Sequence, residues 1–237
     1  MFIFIRLIAA HLIADFLLQT DTVYLIKVKH KWGVFLHGGI VGVVTALALL
    51  PYFQYPLIIV LFLLGFFLHI FQDKAKILYN FQTERNNLWT FLVDQLLHFL
   101  VLGVISFGTL NLDIPAYPGP EILNKLYTDT NLFLYIIWLS VITYSTSIMQ
   151  EYIKKAITGE KDQNLRWPKA KQKYLEMFER TAIAVFIFLG GYWNIGAILA
   201  ALTGYYLVRV QKAPALNFQI GTALAVITGF LMKFTIF

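Results

Sequence analysis

The chain has 237 residues, of which 59% are apolar and only 14% are charged, and it contains no cysteine. A soluble domain is less apolar and more charged than this, so the composition predicts an all-α integral membrane protein. The lack of cysteine excludes disulfides and thiolate metal ligands, and the net charge of +6 reflects membrane topology rather than nucleic-acid binding.

Eight apolar stretches are long enough for transmembrane helices, which need roughly 20 mostly apolar residues. We place these spans at about 1–19, 33–50, 56–80, 88–107, 131–153, 174–191, 195–210 and 217–236. Polar side chains recur at helical spacing inside the first span, so we expect it to be a retained helix rather than a signal peptide. Two domains are predicted: a four-helix membrane bundle at 1–107 and a C-terminal membrane region of about four helices at 108–237.

Basic residues are concentrated in alternate connections between these spans. The connections on this side carry Lys27, Lys29, Lys31, Lys74, Lys76, Arg85 and a basic loop near 154–173. By the positive-inside rule this side faces the cytoplasm, which predicts a multi-pass membrane protein with both termini outside. Its expected partner is the lipid bilayer, with anionic headgroups at the basic side, and no nucleic acid.

Ionisable residues recur inside the first four spans, where an apolar helix normally avoids them. Three histidine and aspartate pairs have a spacing of four residues: His11 with Asp15, His69 with Asp73, and Asp94 with His98. This spacing places both side chains of a pair on one face of a helix. The pattern predicts that the first four helices form a bundle lined by histidine and aspartate.

The direction of each span decides the depth of its pair in the membrane. Spans one and three run towards the cytoplasm and span four runs back, so every pair presents its histidine deeper than its aspartate. His37, about four residues into span two, joins from the same side. We therefore expect four imidazoles and three carboxylates to converge inside the bundle.

These buried carboxylates need compensation, because an aspartate at a helix centre costs roughly 2.5–3.5 kcal/mol. Imidazole and carboxylate together suit one or two divalent ions, zinc above all, with manganese or iron fitting the same ligands. The predicted metal ligands are His11, Asp15, His37, His69, Asp73, Asp94 and His98, with Gln19, Gln72 and Gln95 placed to orient them. The alternative is a metal-free network of hydrogen bonds that fastens the helices or relays protons.

Four short motifs carry a resemblance to a known family. They read HLIADFLLQTD, GVFLHGG, HIFQDKAK and DQLLH. Over roughly the first 105 residues the chain resembles the bacterial membrane family called domain of unknown function 3307. The segment Phe178-Glu179-Arg180 is similar to that family's C-terminal half, although a lysine expected near 201–203 is missing. More distantly, the pattern resembles membrane-bound metal-dependent hydrolases, which implies a reaction class by analogy.

The residues and the second resemblance together predict a metal-dependent hydrolase that acts on a phosphoester at the cytoplasmic face through a metal-activated water. The predicted catalytic residues are Asp15, Asp73 and Asp94. At the basic mouth, Lys74, Lys76 and Arg85 would hold the anionic phosphorylated substrate, or serve only as topology signals.

Two other functions stay open at this stage. A transporter would use the same cluster to bind a metal ion or relay protons, since transport sites lie near the middle of the bilayer. An assembly or signalling scaffold would instead use the basic loop near 154–173 as its partner surface, unless that loop lies on anionic headgroups.

Overall fold

The computed structural model describes residues 2–109, 112, 120–159, 170–210 and 215–236. These described residues are helical apart from short turns and contain no strand, which confirms the all-α prediction for them. The chain divides into two compact units, Met1–Arg85 with Trp89–Ile137 and Asn86–Leu88 with Trp138–Phe237. Much of the predicted basic loop, residues 160–169, lies outside the described residues.

The first unit contains the helices that carry the histidine and aspartate pairs. Its helices are α1 (Phe2–Leu12), α2 (Asp21–Lys29), α3 (Gly33–Leu49), α4 (Pro56–Thr83), α5 (Leu88–Phe107), α6 (Glu121–Thr128) and the first part of α7 (Thr130–Ser140). Two of them change geometry at their C-terminal end. α1 continues into a π-helical turn at Ile13–Leu17, and α3 continues into a 3₁₀ turn at Leu50–Gln54.

The second unit is a helical bundle with a polar centre. It contains the end of α7, a π-helical turn at Val141–Ser145, α8 (Thr146–Thr158), α9 (Ala170–Leu189), α10 (Trp193–Val210) and α11 (Ala215–Ile236). α9 packs against α10 and α11. Arg180 on α9 is buried and donates hydrogen bonds to Ser147 and Gln150, so this charged helix is held by polar contacts as well as by apolar packing.

The long apolar helices indicate a membrane protein. Five described stretches are long and apolar enough to cross a bilayer: Gly33–Gln54, Pro56–Thr83, Leu88–Phe107, Thr130–Thr158 and Ala215–Ile236. A bent pair, Ile3–Leu17 with Asp21–Lys29, makes a sixth if it counts as one span. α9 and α10 occupy the positions predicted for spans six and seven but are not among these five, so the number eight stays a prediction.

A sharp bend separates the first two helices. α1 with its π-helical turn meets α2 at an angle of 87°. Thr20 begins α2 as its N-cap, and its hydroxyl accepts a hydrogen bond from the backbone N–H of Val23. Because α2 then packs against α3, Lys27 in its last turn is buried in the unit. Sequence analysis placed Lys27 in the connection between spans one and two, whereas in the structure it belongs to a helix and its side chain is buried.

We expect Gly33→Ala to destabilise the protein, because α2 approaches α3 closely at Gly33. A Cβ atom there would lie 2.7 Å from the Cα of Lys27, and backbone atoms cannot move aside as a flexible side chain can. The expected loss is about 1–3 kcal/mol of unfolding free energy, measured in detergent by denaturant titration. Gly39→Ala is the control, since no described atom lies within 4 Å of its Cβ position; equal loss in both variants would contradict the prediction.

One end of the first unit is filled by an apolar cluster. Its buried members are Ile3, Leu7, Leu49, Tyr52, Ile58 and Ile105. Arg6, between the first two of these on α1, is fully buried. Its guanidinium carbon lies 5.2 Å from the ring centre of Tyr52 and 4.7 Å from that of Phe133, distances at which a cation and an aromatic face attract each other.

Candidate metal centre

Four helices of the first unit bring the seven predicted ligands into its interior. α1 with its π-helical turn, α3, α4 and α5 carry His11, Asp15, His37, His69, Asp73, Asp94 and His98. None of the seven is more than 7% exposed. The four-residue spacing puts each pair on the inward face of its helix, as expected from helical periodicity.

The four imidazoles form one contiguous group. His11 and His98 stack with ring centres 5.0 Å apart, and the ring centre of His69 lies 4.6 Å from that of His98. His37 joins from α3, with its ring centre 5.4 Å from that of His69. Each histidine therefore has another imidazole as its neighbour rather than lipid.

Four side-chain atoms in this group have the spacing of a metal coordination shell. Nε2 of His37 lies 3.3 Å from Oδ1 of Asp15 and 3.5 Å from Oδ2 of Asp73. Nε2 of His69 lies 3.7 Å and 3.3 Å from the same two oxygens. Ligands about 2.0–2.2 Å from a tetrahedral zinc ion are about 3.3–3.6 Å apart, so these four nitrogen-to-oxygen distances suit such a shell.

These four atoms, which we call the His/Asp shell, also lack ordinary partners. Within the described residues, none of them makes a hydrogen bond, although all four are buried. Leaving a buried polar atom unpaired costs about 1–3 kcal/mol, and more when the atom is charged. A cation at their centre would satisfy all four together, so the chemistry of the donor set fits a divalent metal.

The π-helical turn at Ile13–Leu17 sets the position of Asp15. The wider turn buries three consecutive side chains, those of Ala14, Asp15 and Phe16. Single π-helical turns inside α-helices are rare and frequently occur at functional sites. Sequence analysis predicted a regular helix here, since the four-residue spacing of His11 and Asp15 fits one.

Two lysines neutralise the carboxylates from outside the His/Asp shell. Nζ of Lys27 lies 2.7 Å from Oδ1 of Asp73, which leaves Oδ2 to the shell, and it also donates to the side chain of Gln19 at 3.1 Å. Lys76 donates to Oδ2 of Asp94 at 2.7 Å. Sequence analysis missed both ion pairs. The Thr20-Asp21 helix start was the available signal, because it places Lys27 in a new helix instead of a loose connection.

Asp94 and His98 form a second group beside the shell. One ligand atom from each of them, and one from Asp73, lie within 4.8 Å of one another. Nδ1 of His98 lies 2.8 Å from the backbone carbonyl of Asp94, which can only accept, so Nδ1 carries the proton. Nε2 of His98 therefore keeps its lone pair, and it makes no hydrogen bond within the described residues.

The predicted accessory residues lie in different environments. Gln95 donates to Oδ2 of Asp94 at 3.1 Å, and Gln72 faces the cavity next to the histidines. Lys74 and Arg85 are exposed. Only Lys76, of the three basic residues predicted to bind substrate, is seen to contact a carboxylate of the cluster, so its ammonium also positions Asp94.

The motifs of the first half are also those of a known family model. Residues 3–117 match the model described as Protein of unknown function (DUF3307). The matched part contains all seven residues of the cluster, and the resemblance inferred from the motifs is confirmed there. No curated protein and no solved structure matches the chain. The more distant resemblance to membrane-bound hydrolases stays a prediction.

Proposed function

We propose that this protein is a membrane-embedded, metal-dependent hydrolase that acts on a phosphoester at the cytoplasmic face. The proposal is carried by the His/Asp shell: four buried atoms without hydrogen bonds, whose nitrogen-to-oxygen distances of 3.3–3.7 Å suit ligands of one metal ion. A buried network that only fastened helices would be expected to pair these atoms in shorter, well-aligned hydrogen bonds, of about 2.9 Å instead of 3.3–3.7 Å.

The donor set favours zinc at this centre. Two imidazole nitrogens and two carboxylate oxygens are ligands that zinc takes in tetrahedral geometry, and manganese and iron accept the same donors. Asp94 and His98 supply ligand atoms for a second ion, with Asp73 shared between the two groups. Lys76 neutralises Asp94 and Lys27 neutralises Asp73, so the His/Asp shell is the stronger cation site because it also contains Asp15.

The residues around the shell suit hydrolysis. A bound divalent cation lowers the pKa of a coordinated water to near neutrality and polarises a phosphoryl oxygen. With an ion in the His/Asp shell alone, His98 is the general base: Nε2 takes a proton from the attacking water as the new O–P bond forms. The ester P–O bond breaks, and the same proton passes from Nε2 to the leaving alkoxide. Asp94 holds the imidazole through its backbone carbonyl.

The basic residues of α4 and the turn after it suit an anionic substrate. Lys74 directly follows the ligand Asp73, and Arg85 lies just beyond the end of α4. Both side chains are exposed, and in the sequence both follow Asp73, on the opposite side of the aspartate from the apolar cavity lining of α4. We therefore assign Lys74 and Arg85 to substrate binding. Lys76 would contact the substrate as well as Asp94.

The test is hydrolysis by the purified protein in detergent, without any ion gradient. Zinc- or manganese-loaded protein is expected to cleave para-nitrophenyl phosphate or its bis-ester, and a chelator should abolish the reaction. Asp15→Asn should lower the rate about 100-fold or more, because the metal contributes several kcal/mol of transition-state stabilisation. The control is Asp129→Asn, an exposed carboxylate outside the cluster. Failure of the metal-loaded protein to cleave any phosphoester would overturn the proposal.

A further inference from the structure

A cavity begins at the histidines and continues away from the carboxylates. It is a narrow space between α1, α3, α4 and α5, and together with the open space at its mouth it amounts to about 620 Å³ not filled by atoms. His11, His69, His98 and Gln72 are at its polar end. Beyond them the lining is apolar apart from Thr45, and includes Leu7, Val41, Leu61, Phe66, Val101 and Ile105.

The cavity is the apolar end of a gradient of side-chain polarity that runs along the helix axes. The apolar lining precedes the histidine on α1 and α4 and follows it on α5. On each of these helices the histidine therefore lies between the apolar lining and the aspartate. Moving inward from the basic side, the unit presents lysines, then carboxylates, then imidazoles, then hydrocarbon. A lipid of the cytoplasmic leaflet has the same order: a charged headgroup, its ester linkage and an apolar chain.

The dimensions of the cavity match one leaflet. Its lining on α4 extends from Ile58 to Gln72, and the part from Ile58 to His69 rises about 16 Å at 1.5 Å per residue. Half of the ~30 Å hydrocarbon core of a bilayer is of similar length. The apolar cluster that includes Ile3 and Tyr52 lies at the far end, where it limits how far an occupant can reach.

An apolar space of this kind favours an apolar occupant. Cavities lined by aliphatic and aromatic side chains stay dry and bind hydrocarbon ligands, because water finds no hydrogen-bond partners in them. Leaving the space empty also forfeits dispersion contacts for the side chains around it. A polar substrate tail would lose its hydration there without compensation.

We infer that the substrate is a lipid phosphoester whose hydrocarbon chain occupies this cavity while its phosphate lies at the His/Asp shell. The inference rests on the proposed function, which it deepens by naming the substrate class. The bound hydrocarbon chain of the lipid would hold the ester bond at the metal. It would also keep water out of the cavity beyond the histidines.

Photolabelling tests the cavity independently of catalysis. The probe is lysophosphatidic acid with a diazirine at the end of its acyl chain, added to purified, zinc-loaded protein in nanodiscs. Peptide mass spectrometry should find label on lining residues near Ile58 and Leu49, and excess unlabelled lysophosphatidic acid should remove it. A diazirine next to the ester should instead label residues near His98, because the acyl chain binds in a single orientation.

A matched pair of variants separates cavity from lipid-facing surface. Val101→Trp fills the cavity and should lower the labelling of lining residues about tenfold, while metal content shows that the fold persists. Val104→Trp, on the lipid-facing side of the same helix and 73% exposed, should leave the labelling unchanged.

The outcomes distinguish the two proposals. Labelled lining residues in a protein that cleaves no phosphoester would leave the lipid site standing and remove the hydrolase. Cleavage of soluble phosphoesters, with label confined to outward-facing residues or unaffected by Val101→Trp, would overturn the lipid inference and leave the hydrolase. Label at the same residues from both diazirine positions would also overturn it.

Discussion

Replacing His69 with alanine is expected to remove the bound divalent metal. Nε2 of His69 lies within 3.7 Å of both shell oxygens, and His69 belongs to two of the three residue groups that can hold an ion. Outer partners of metal ligands are worth about 10–100-fold in affinity, so loss of a ligand itself should cost at least about 100-fold. Elemental analysis of the purified protein after dialysis measures the effect.

The matched control for this variant is His30→Ala. His30 is exposed and stacks on Trp32, outside the cluster, so its removal should leave the metal content unchanged. A wild-type protein free of divalent metal would count against the metal centre. So would a His69→Ala protein that keeps the wild-type amount of metal, because metal binding would then not depend on His69.

Replacing Lys27 with methionine should destabilise the protein strongly in the presence of a chelator. The change leaves Asp73, which is 1% exposed, without the ammonium 2.7 Å from its Oδ1 atom. Removing one partner of a buried ion pair costs about 3–5 kcal/mol. The free energy of unfolding in detergent, measured with chelator and with zinc, gives the size of the loss.

Comparison with zinc separates a metal centre from a metal-free network. A bound cation would take over part of the neutralisation of Asp73, so zinc should reduce the loss caused by Lys27→Met. Lys29→Met, at an exposed position of α2, should be neutral, and Asp73→Asn added to Lys27→Met should recover part of the stability. If zinc makes no difference to the loss, Asp73 is held by lysine alone and does not bind metal.

The sequence was most informative where one helix decides the geometry. A spacing of four residues places His69 with Asp73 and Asp94 with His98 on one face, whatever the rest of the chain does. The energetic cost of these side chains in an apolar segment indicated that they face inward. The structure brings their side chains together. That they bind a metal, which metal it is and how many ions are bound all stay proposals.

Features that depend on the path of the chain were not predictable from spacing. Lys27 reaches Asp73 only because the chain bends by 87° after the first helix and α2 then packs on α3. A lysine-rich connection is also the usual topology signal, so its composition gave no reason to place one lysine inside. The π-helical turn around Asp15 was equally hidden, since a single wide turn leaves the apolar pattern on either side intact.

The second half of the chain was harder to interpret for a different reason. Hydropathy measures a helix as if it faced lipid, but Arg180 on α9 is buried among polar partners on α8. Such a helix can lie within the membrane because neighbouring side chains satisfy its charge. The charged residue nevertheless lowers its hydropathy, so it fails a hydropathy test. The number of spans in this half therefore depends on packing that composition does not reveal.

The buried guanidinium of Arg6 has an electrical consequence for ion traffic. It lies nine residues before Asp15 on the same helical segment, roughly 13 Å along the axis, at the level of the apolar cluster. A fixed positive charge in a dry layer repels incoming cations, as arginines do in pores that exclude protons. Metal and protons would then exchange with one compartment only.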